Sequence, residues 1–315
     1  MSERYGIAEW FGKDIRSMSS VERAEAARMA ISQRDDKEPS APRCPFMQAL
    51  QPGAPCNKTG GVCSIRKYSN DESGAISADE QPVTTCPSRF RERYDGEDIF
   101  SKIGSLLYSD PNPLVVKEVP FLQKKGAPEG KGKVGRIDWI VLPGDSASKV
   151  DPDWAAVETQ AIYFSGDNIW VDVEDYLANP ASLRMPVGQR RPDYRSSGPK
   201  RLSPQLDVKA PRIGRWGQNT VVVVDSYFWS QMPGLDETKP IDPANDEVIW
   251  FVVTYNDEMH LVFERVVGAT MVASRDALSG TEVMNKVKFT AELVELLNDR
   301  TSGKVYEIQD KPSFA

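Results

Sequence analysis

The chain has 315 residues, 40% of them hydrophobic and 9% aromatic, which allows one large domain or two modest ones with a substantial core. A formal net charge of −7 excludes a generally basic coat for nucleic acid, although an acidic total can contain a local basic patch. The single histidine, His260, excludes a multi-histidine metal site. We therefore expect any hydrolytic chemistry to depend on carboxylates and a metal ion.

The sequence also indicates the cellular compartment. It contains no run of about 18 apolar residues, and the charged N-terminal stretch MSERYGIAEWFGKDIRS lacks the apolar segment of a signal peptide. We therefore expect a cytoplasmic protein with no membrane partner. In a reducing compartment, the four cysteines are expected to be thiols or metal ligands rather than disulfides.

The N-terminal part divides into a helix and an irregular region. Ser19 and Glu22 form a capping box that predicts an amphipathic helix over residues 20–33. Residues 33–87 are rich in Pro, Gly, Asn and Ser, contain all four cysteines and show little periodicity, so their own core would be thin. We predict an N-terminal lobe of residues 1–95 and a second domain of residues 96–315.

The rest of the chain predicts one sheet flanked by helices. Apolar spacing predicts a helix over residues 96–108 and a final amphipathic helix that contains Phe289 and Leu293. Between them lie six strand-like runs: VVKEVPFL, RIDWIVL, WAAVETQAIYF, NTVVVVDSYFW, EVIWFVVTY and HLVFERVV. The VVVV and IWFVV runs are typical of central strands buried on both faces. The predicted fold class is α/β (α+β), with a mixed central sheet.

Two of these runs carry acidic side chains on apolar strands. RIDWIVL and WAAVETQAIYF are joined by about eleven residues rich in turn formers, so they could pair as antiparallel neighbours. Asp138 would then lie near Glu158 and Gln160, which share a face because strand side chains alternate. Two close carboxylates repel unless a cation lies between them, and such oxygen ligands suit Mg²⁺. By itself, an Asp followed after nineteen residues by Glu-x-Gln also occurs by chance.

The cysteines support a functional interpretation of this acidic pattern. They occur in RCPF, PC, GGVCSI and TTCPSRF, with gaps of 11, 6 and 22 residues and no C-x-x-C pair. The order CPF, Cys, GVC and CPxR, followed by the acidic set, resembles the NotI-type restriction endonucleases over roughly residues 40–215. That family has a PD-(D/E)xK nuclease core and an N-terminal metal site built from four cysteines.

The resemblance implies roles for individual residues. The metal-binding cysteines of the family match Cys44, Cys56, Cys63 and Cys86, and tetrahedral thiolates suit either iron or zinc. IDW and VETQ fall where the family has FDW and LEIQ, which makes Asp138, Glu158 and Gln160 the active-site candidates, with Asp138 and Glu158 as Mg²⁺ ligands. The family also implies an upstream glutamate. Our choice is Glu118, and Glu129 is the alternative.

A basic segment over residues 184–216 is the candidate DNA-contacting surface. It holds nine basic and two acidic residues within an acidic chain. Phosphate contacts need Lys or Arg, and arginine can bind guanine O6 and N7 bidentately. Without the neighbouring nuclease pattern, the segment would be equally well explained as a solvated loop. The predicted DNA contacts are Arg190, Arg191, Arg195, Lys200, Arg201, Lys209, Arg212 and Arg215.

The resemblance implies a Mg²⁺-dependent type II restriction endonuclease that contains structural iron or zinc. We expect a homodimer that cuts double-stranded DNA at a palindromic, GC-rich site, because a double-strand break needs two active sites and a two-fold dimer matches a two-fold sequence. Two alternatives stay open. One is a repair-type or non-specific nuclease, and the other is a non-catalytic DNA-binding protein with a four-cysteine module.

Overall fold

The computed structural model describes residues 3–35, 42–128, 131–281, 284–299 and 303–306. Contacts divide the chain into two compact units, Met1–Gly280 and Thr281–Ala315. The boundary that we predicted near residue 95 falls inside the first unit. Within the described ranges, no helix is long and apolar enough to cross a membrane.

A six-stranded mixed sheet forms the centre of the first unit, in the order β13-β12-β11-β8-β7-β6. Strands β8, β11 and β12 run parallel to one another, whereas β6, β7 and β13 pair antiparallel with their neighbours. The strands are β6 Leu114–Gln123, β7 Lys133–Leu142, β8 Ala155–Thr159, β11 Asn219–Asp225, β12 Val248–Tyr255 and β13 Leu261–Ala269. All six predicted runs therefore contribute a strand to this sheet.

The central strands are apolar because both of their faces are covered. Val222, Val224 and Val252 belong to a core cluster that also includes Leu206 and Ala210 from a helix. Val221, Val223 and Phe251 face the other side, where they pack in one cluster with Phe100 and Ile103 from another helix. The predicted mixed sheet flanked by helices is confirmed, and it is compatible with a nuclease-like α+β fold.

A second sheet in the N-terminal region was not predicted. Strand β1 (Glu3–Trp10) pairs antiparallel with β3 (Val62–Asn70), and the sheet order is β2-β1-β3-β4, with β5 also paired to β3. The short strands are β2 Lys13–Asp14, β4 Ile76–Ser77 and β5 Val83–Thr84. Ile7, Trp10 and Ile65 join the same core cluster as the central sheet, so residues 33–87 are better packed than their composition suggests.

The predicted helices form with small shifts at their ends. The capping box is confirmed, because the Ser19 backbone N–H donates to Glu22 Oε2 (2.8 Å) and the Glu22 N–H donates to Ser19 Oγ (3.2 Å). The first six helices are α1 Ser20–Asp35, α2 Ile99–Tyr108, α3 Trp170–Ala178, α4 Tyr194–Ser197, α5 Ser203–Arg215 and α6 Ser226–Ser230. Two more follow, α7 Met271–Ser279 and, in the second unit, α8 Lys286–Asn298. Helix α8 is the predicted final amphipathic helix.

The basic segment is largely regular structure rather than a loop. Strand β10 (Arg190–Asp193) pairs antiparallel with β9 (Tyr163–Gly166). Helix α4, a π-helical turn over Gly198–Leu202 and helix α5 then follow without interruption. Leu206, Ala210 and Ile213 on α5 are buried at helical spacing, which packs this helix against the central sheet. The exposed cations of the basic segment therefore lie on packed secondary structure rather than on a loop.

Candidate active site

The pairing of β7 with β8 places the two predicted acids opposite each other. Trp139 pairs with Val157 and Ile140 with Ala156, so the same antiparallel register aligns Asp138 with Glu158. The predicted antiparallel neighbours are confirmed. Asp138 Oδ2 accepts hydrogen bonds from the Thr159 backbone N–H (3.2 Å) and Thr159 Oγ1 (3.4 Å), and these bonds hold its carboxylate at the end of β8.

Both acids line a cavity of about 310 Å³, and the other candidate active-site residues of the described part of the chain line it too. Glu118 and Gln160 lie in its wall, and cationic residues from elsewhere in the chain contribute to it. The cavity wall includes Lys58, Arg91, Lys117, Glu118, Asp138, Trp139, Glu158, Thr159, Gln160, Tyr163 and Gln205. Residues from three of the predicted strand-like runs, from the cysteine-containing region and from the basic segment thus converge on one site.

Glu118 has an unusual backbone conformation for a strand residue. Its φ is +53°, in the left-handed region that side chains other than glycine rarely adopt. Lys117 and Val119 pair with Trp139 and Ile137, so Glu118 lies beside Asp138 across the strand pair. Hydrogen bonding to Lys117 lowers the pKa of this exposed carboxyl. Such backbone conformations concentrate at functional sites. The alternative residue, Glu129, lies outside the described residues.

Glu158 is a buried carboxylate with one cationic partner. Its side chain is 3% exposed, and burial together with the negative charge of Asp138 raises its pKa to about 7. Lys209 Nζ, from α5, donates to Glu158 Oε1 at 2.7 Å and opposes that shift. A second bond joins Lys209 Nζ to Gln205 Oε1 at 3.3 Å. The site is therefore a coupled set of two carboxylates and one buried ammonium group.

Gln160 comes directly after β8 rather than within it. Its backbone N–H donates to the Val223 carbonyl (3.0 Å), and its side-chain amide donates to the Ala161 carbonyl (2.6 Å). Strand alternation across Thr159 still directs Gln160 to the cavity that Glu158 lines. The amide oxygen can accept a hydrogen bond there, but the residue contributes no positive charge.

The donor set at this site is of the kind that suits Mg²⁺. Within the described residues, no group of three or more His, Cys, Asp or Glu side chains is arranged to hold a metal ion. Asp138 and Glu158 nevertheless supply two carboxylates in one cavity, and Mg²⁺ is usually bound through one or two carboxylates while it retains several waters. Burial is the main cause of the raised pKa of Glu158, and a cation between the two carboxylates would offset the repulsion from Asp138 that adds to it.

The four cysteines meet in one buried cluster, although they are far apart in the sequence. They are free thiols that pack with Phe46, Met47 and Ala54. Cys63 lies on β3 and Cys86 follows β5; the Cys86 backbone N–H donates to the Cys63 carbonyl (3.1 Å). Burial raises the pKa of the Cys44, Cys56 and Cys63 thiols. Four thiols in one cluster are of the chemical type that binds iron or zinc. Within the described residues, however, the four side chains are not arranged closely enough to hold a metal ion.

This cysteine cluster lies next to the acidic cavity. A second cavity, of about 360 Å³, is lined by Cys44, Cys56 and Cys86 and shares four residues with the first: Lys58, Pro87, Arg91 and Lys117. The Arg91 guanidinium lies 4.5 Å from the centroid of the Trp139 ring, beside Asp138. Lys58 Nζ donates to the Thr85 carbonyl (2.5 Å). We did not predict either cation from sequence, although each follows a cysteine closely, at Cys56 and Cys86.

Two of the eight predicted DNA contacts are buried ion-pair partners rather than surface cations. The Arg190 side chain is fully buried against Asp172, and Lys209 is held by Glu158, so neither side chain is available at the surface. Burial of an unpaired cation would be costly, which explains why each has a carboxylate partner. The other six cations are exposed: Arg191, Arg195, Lys200, Arg201, Arg212 and Arg215. Arg201 donates to the hydroxyl of Tyr163 (2.7 Å), which lines the acidic cavity.

Comparison with known proteins identifies a family for this chain. The family model described as restriction endonuclease NotI matches residues 28–265. This range includes the four cysteines, the acidic cavity and the basic segment. No curated protein matches the chain. Because the family model covers most of the sequence, the chain belongs to the NotI restriction endonuclease family.

Proposed function

We propose that this protein is a type II restriction endonuclease that hydrolyses phosphodiester bonds of double-stranded DNA in a Mg²⁺-dependent reaction. The observation that carries the proposal is the convergence of Glu118, Asp138, Glu158 and Gln160 in one cavity of a chain that belongs to a restriction endonuclease family. Carboxylates in a cleft with cations nearby are suited to phosphoryl chemistry, and the only histidine, His260, does not line this cavity.

Asp138 and Glu158 are the residues that would hold Mg²⁺. The chemistry that this ion supplies is stabilisation of negative charge on the phosphoryl oxygens and activation of water at neutral pH. Gln160 presents an amide oxygen that can orient the attacking water, and Glu118 can accept a hydrogen bond from the same water. Arg91 and Lys58 bring positive charge to the cavity edge, where a phosphate would enter.

The exposed cations of the basic segment are the proposed DNA-contacting surface. Five of the six are arginines, which favours reading of guanine in the major groove and is the basis for a GC-rich target. They lie on β10, α4, the π-helical turn Gly198–Leu202 and α5, so they are held by regular secondary structure. A base-reading arginine should affect discrimination at one position, whereas a phosphate contact such as Lys200 should affect binding to all sequences.

A homodimer and a palindromic site follow from the number of active sites. We assign one active site to each chain, whereas a double-strand break needs two hydrolysis events, so two chains would act together. Sedimentation of the protein bound to an oligonucleotide duplex containing its site, in Ca²⁺, tests this point. Two chains per duplex support the dimer, and one chain per duplex contradicts it.

The cysteine cluster is the proposed site of a structural iron or zinc ion. Cys44, Cys56, Cys63 and Cys86 would hold it as thiolates, and a bound metal compensates for the raised pKa of buried thiols. Because Lys58 and Arg91 lie between this cluster and the acidic cavity, the metal would stabilise the wall of the active site.

Incubation of the purified protein with supercoiled plasmid and Mg²⁺ tests the proposed function. Discrete linear fragments support a site-specific endonuclease. A smear indicates cleavage without sequence preference, and retained plasmid with a gel shift indicates a DNA-binding protein that does not cleave.

A further inference from the structure

The lysine that gives the wider nuclease class its name is absent from its usual place in this chain. In the D/E-x-K pattern the lysine follows the second acid by two positions, and here that position is Gln160. The Gln160 amide is neutral and donates to the Ala161 carbonyl. Positive charge beside Glu158 therefore has to come from another part of the chain.

Helix α5 supplies such a charge from a fixed position. Leu206 and Ala210 pack in the core cluster that contains Val222 and Val224 of β11. Lys209 lies between them in sequence, and its side chain is 7% exposed. Helix α5 therefore packs on the sheet, and Lys209 donates a hydrogen bond to Glu158 across the helix–sheet interface. The side chain has little freedom to move away.

Burial of the Lys209–Glu158 ion pair costs desolvation free energy, so its presence requires either excellent geometry or a function. Removing an ammonium group and a carboxylate from water costs several kcal/mol for each ion, and their mutual attraction only compensates for this cost when the remaining bonds are satisfied. Lys209 Nζ has two acceptors, Glu158 Oε1 at 2.7 Å and Gln205 Oε1 at 3.3 Å. Gln205 also lines the acidic cavity, so the network ends at the site itself.

We propose that Lys209 is the positioning residue of the nuclease site. From helix α5, it supplies the positive charge beside Glu158 that Gln160 lacks. This inference rests on the proposed function. By donating to Glu158 Oε1, Lys209 restrains the rotation of the carboxylate that would hold a divalent ion. Its positive charge also offsets part of the repulsion between Glu158 and Asp138.

This role makes a prediction that a purely structural role does not. Lys209→Met keeps the apolar stem and removes the charge, so the two carboxylates should attract a divalent cation more strongly while Glu158 loses its fixed orientation. We expect Ca²⁺ to bind about tenfold more tightly and DNA cleavage in saturating Mg²⁺ to fall about 100-fold. Damage to the fold would weaken both.

The experiment measures Ca²⁺ binding by calorimetry without DNA, and plasmid cleavage in Mg²⁺, for wild type, Lys209→Met and the matched control Lys149→Met. Lys149 is an exposed lysine of the β7–β8 loop, and its variant should match wild type in both assays. Tighter Ca²⁺ binding with slower cleavage supports the proposal. Unchanged Ca²⁺ affinity, weaker Ca²⁺ binding or unchanged cleavage overturns it.

A second variant decides the case if Lys209→Met does not fold. Lys209→Arg retains a positive charge beside Glu158, so we expect it to keep at least about a tenth of the wild-type cleavage rate. A lower rate overturns the proposal. If the wild-type protein itself does not cleave DNA while Ca²⁺ binding responds to Lys209→Met as expected, it is the nuclease assignment that fails, and the positioning of Glu158 stands.

Discussion

Asp138 Oδ2 accepts the backbone N–H of Thr159 at 3.2 Å, so the first acid of the site is held by the strand that carries the second. Removal of the Asp138 carboxylate therefore removes a proposed metal ligand and leaves that N–H without its partner. We expect Asp138→Ala to abolish cleavage in Mg²⁺, while binding to site-containing DNA in Ca²⁺ stays within about threefold of wild type. Cleavage assays and gel shifts test this.

The control for Asp138→Ala is Asp151→Ala, which removes an exposed acid from the β7–β8 loop. This control should leave cleavage unchanged. Substantial turnover by Asp138→Ala would contradict the assignment of the acidic cavity as the active site.

Gln160→Ala should be milder than loss of either acid. It removes a group that orients water and leaves both proposed metal ligands in place, so we expect cleavage to fall about 10- to 100-fold, at or below the lower end of the range of about 100- to 10,000-fold for a residue that itself transfers a proton. The dependence of the rate on Mg²⁺ concentration should keep its midpoint. A shift of that midpoint would indicate that Gln160 is a metal ligand instead.

Arg91 lines both the acidic cavity and the cavity beside the cysteines, and its guanidinium lies over the Trp139 ring. We expect Arg91→Met to slow cleavage by about 10-fold or more through the loss of positive charge near the phosphate. Arg93→Met is the matched control, since Arg93 is exposed and does not line this cavity. Equal cleavage rates for the two variants would contradict the role of Arg91.

The cysteine cluster should hold about one iron or zinc ion per chain as purified, separate from exchangeable Mg²⁺. Cys63 is buried among apolar neighbours, so Cys63→Ser should lose the metal and lower the melting temperature more than it alters the chemistry of the remaining folded protein. Elemental analysis and thermal unfolding measure the two effects. Wild-type protein that contains neither metal and whose four thiols react freely would contradict the proposal.

Asp225, which does not itself line the acidic cavity, should make the stability of the protein depend on pH. Its carboxylate is fully buried, caps α6 by accepting the Phe228 N–H (2.8 Å), and has its pKa raised by burial to about 6. A raised carboxyl pKa favours folding when the group is protonated. Its contribution is therefore complete below about pH 4 and is lost as the pH rises to about 6.

The comparison with Asp225→Asn isolates that effect. Relative to this neutral variant, wild type should lose up to about 3 kcal/mol of unfolding free energy between pH 4 and pH 6 and show little further change above pH 7. Urea unfolding at a series of pH values measures it, with the exposed Asp257→Asn as control. A difference that grows more favourable to wild type as the pH rises would contradict the sign.

Much of the central sheet could be predicted because its strands bury side chains in recognisable patterns. VVVV is covered on both faces, and the turn-rich loop between β7 and β8 is short enough to pair them, which brought Asp138 to Glu158. The N-terminal sheet was missed because β1 and β3 are separated by about fifty residues, and only long-range pairing buries them.

The candidate site was predicted only as far as local sequence patterns reach. Glu158 and Gln160 share a face by strand alternation, but nothing local indicates that Lys209 reaches Glu158 from a helix about fifty residues later. A count of charges cannot distinguish Lys209 and Arg190, which are buried with carboxylates, from the exposed arginines beside them. That distinction depends on which face of each element packs on the sheet.

Sequencing of the ends produced from genomic-size DNA by the purified protein in Mg²⁺ tests the central claim most directly. The account predicts that all ends derive from one short palindromic sequence, and that Asp138→Ala produces no ends. Ends with no shared sequence, or ends that persist in the Asp138→Ala variant, would contradict it.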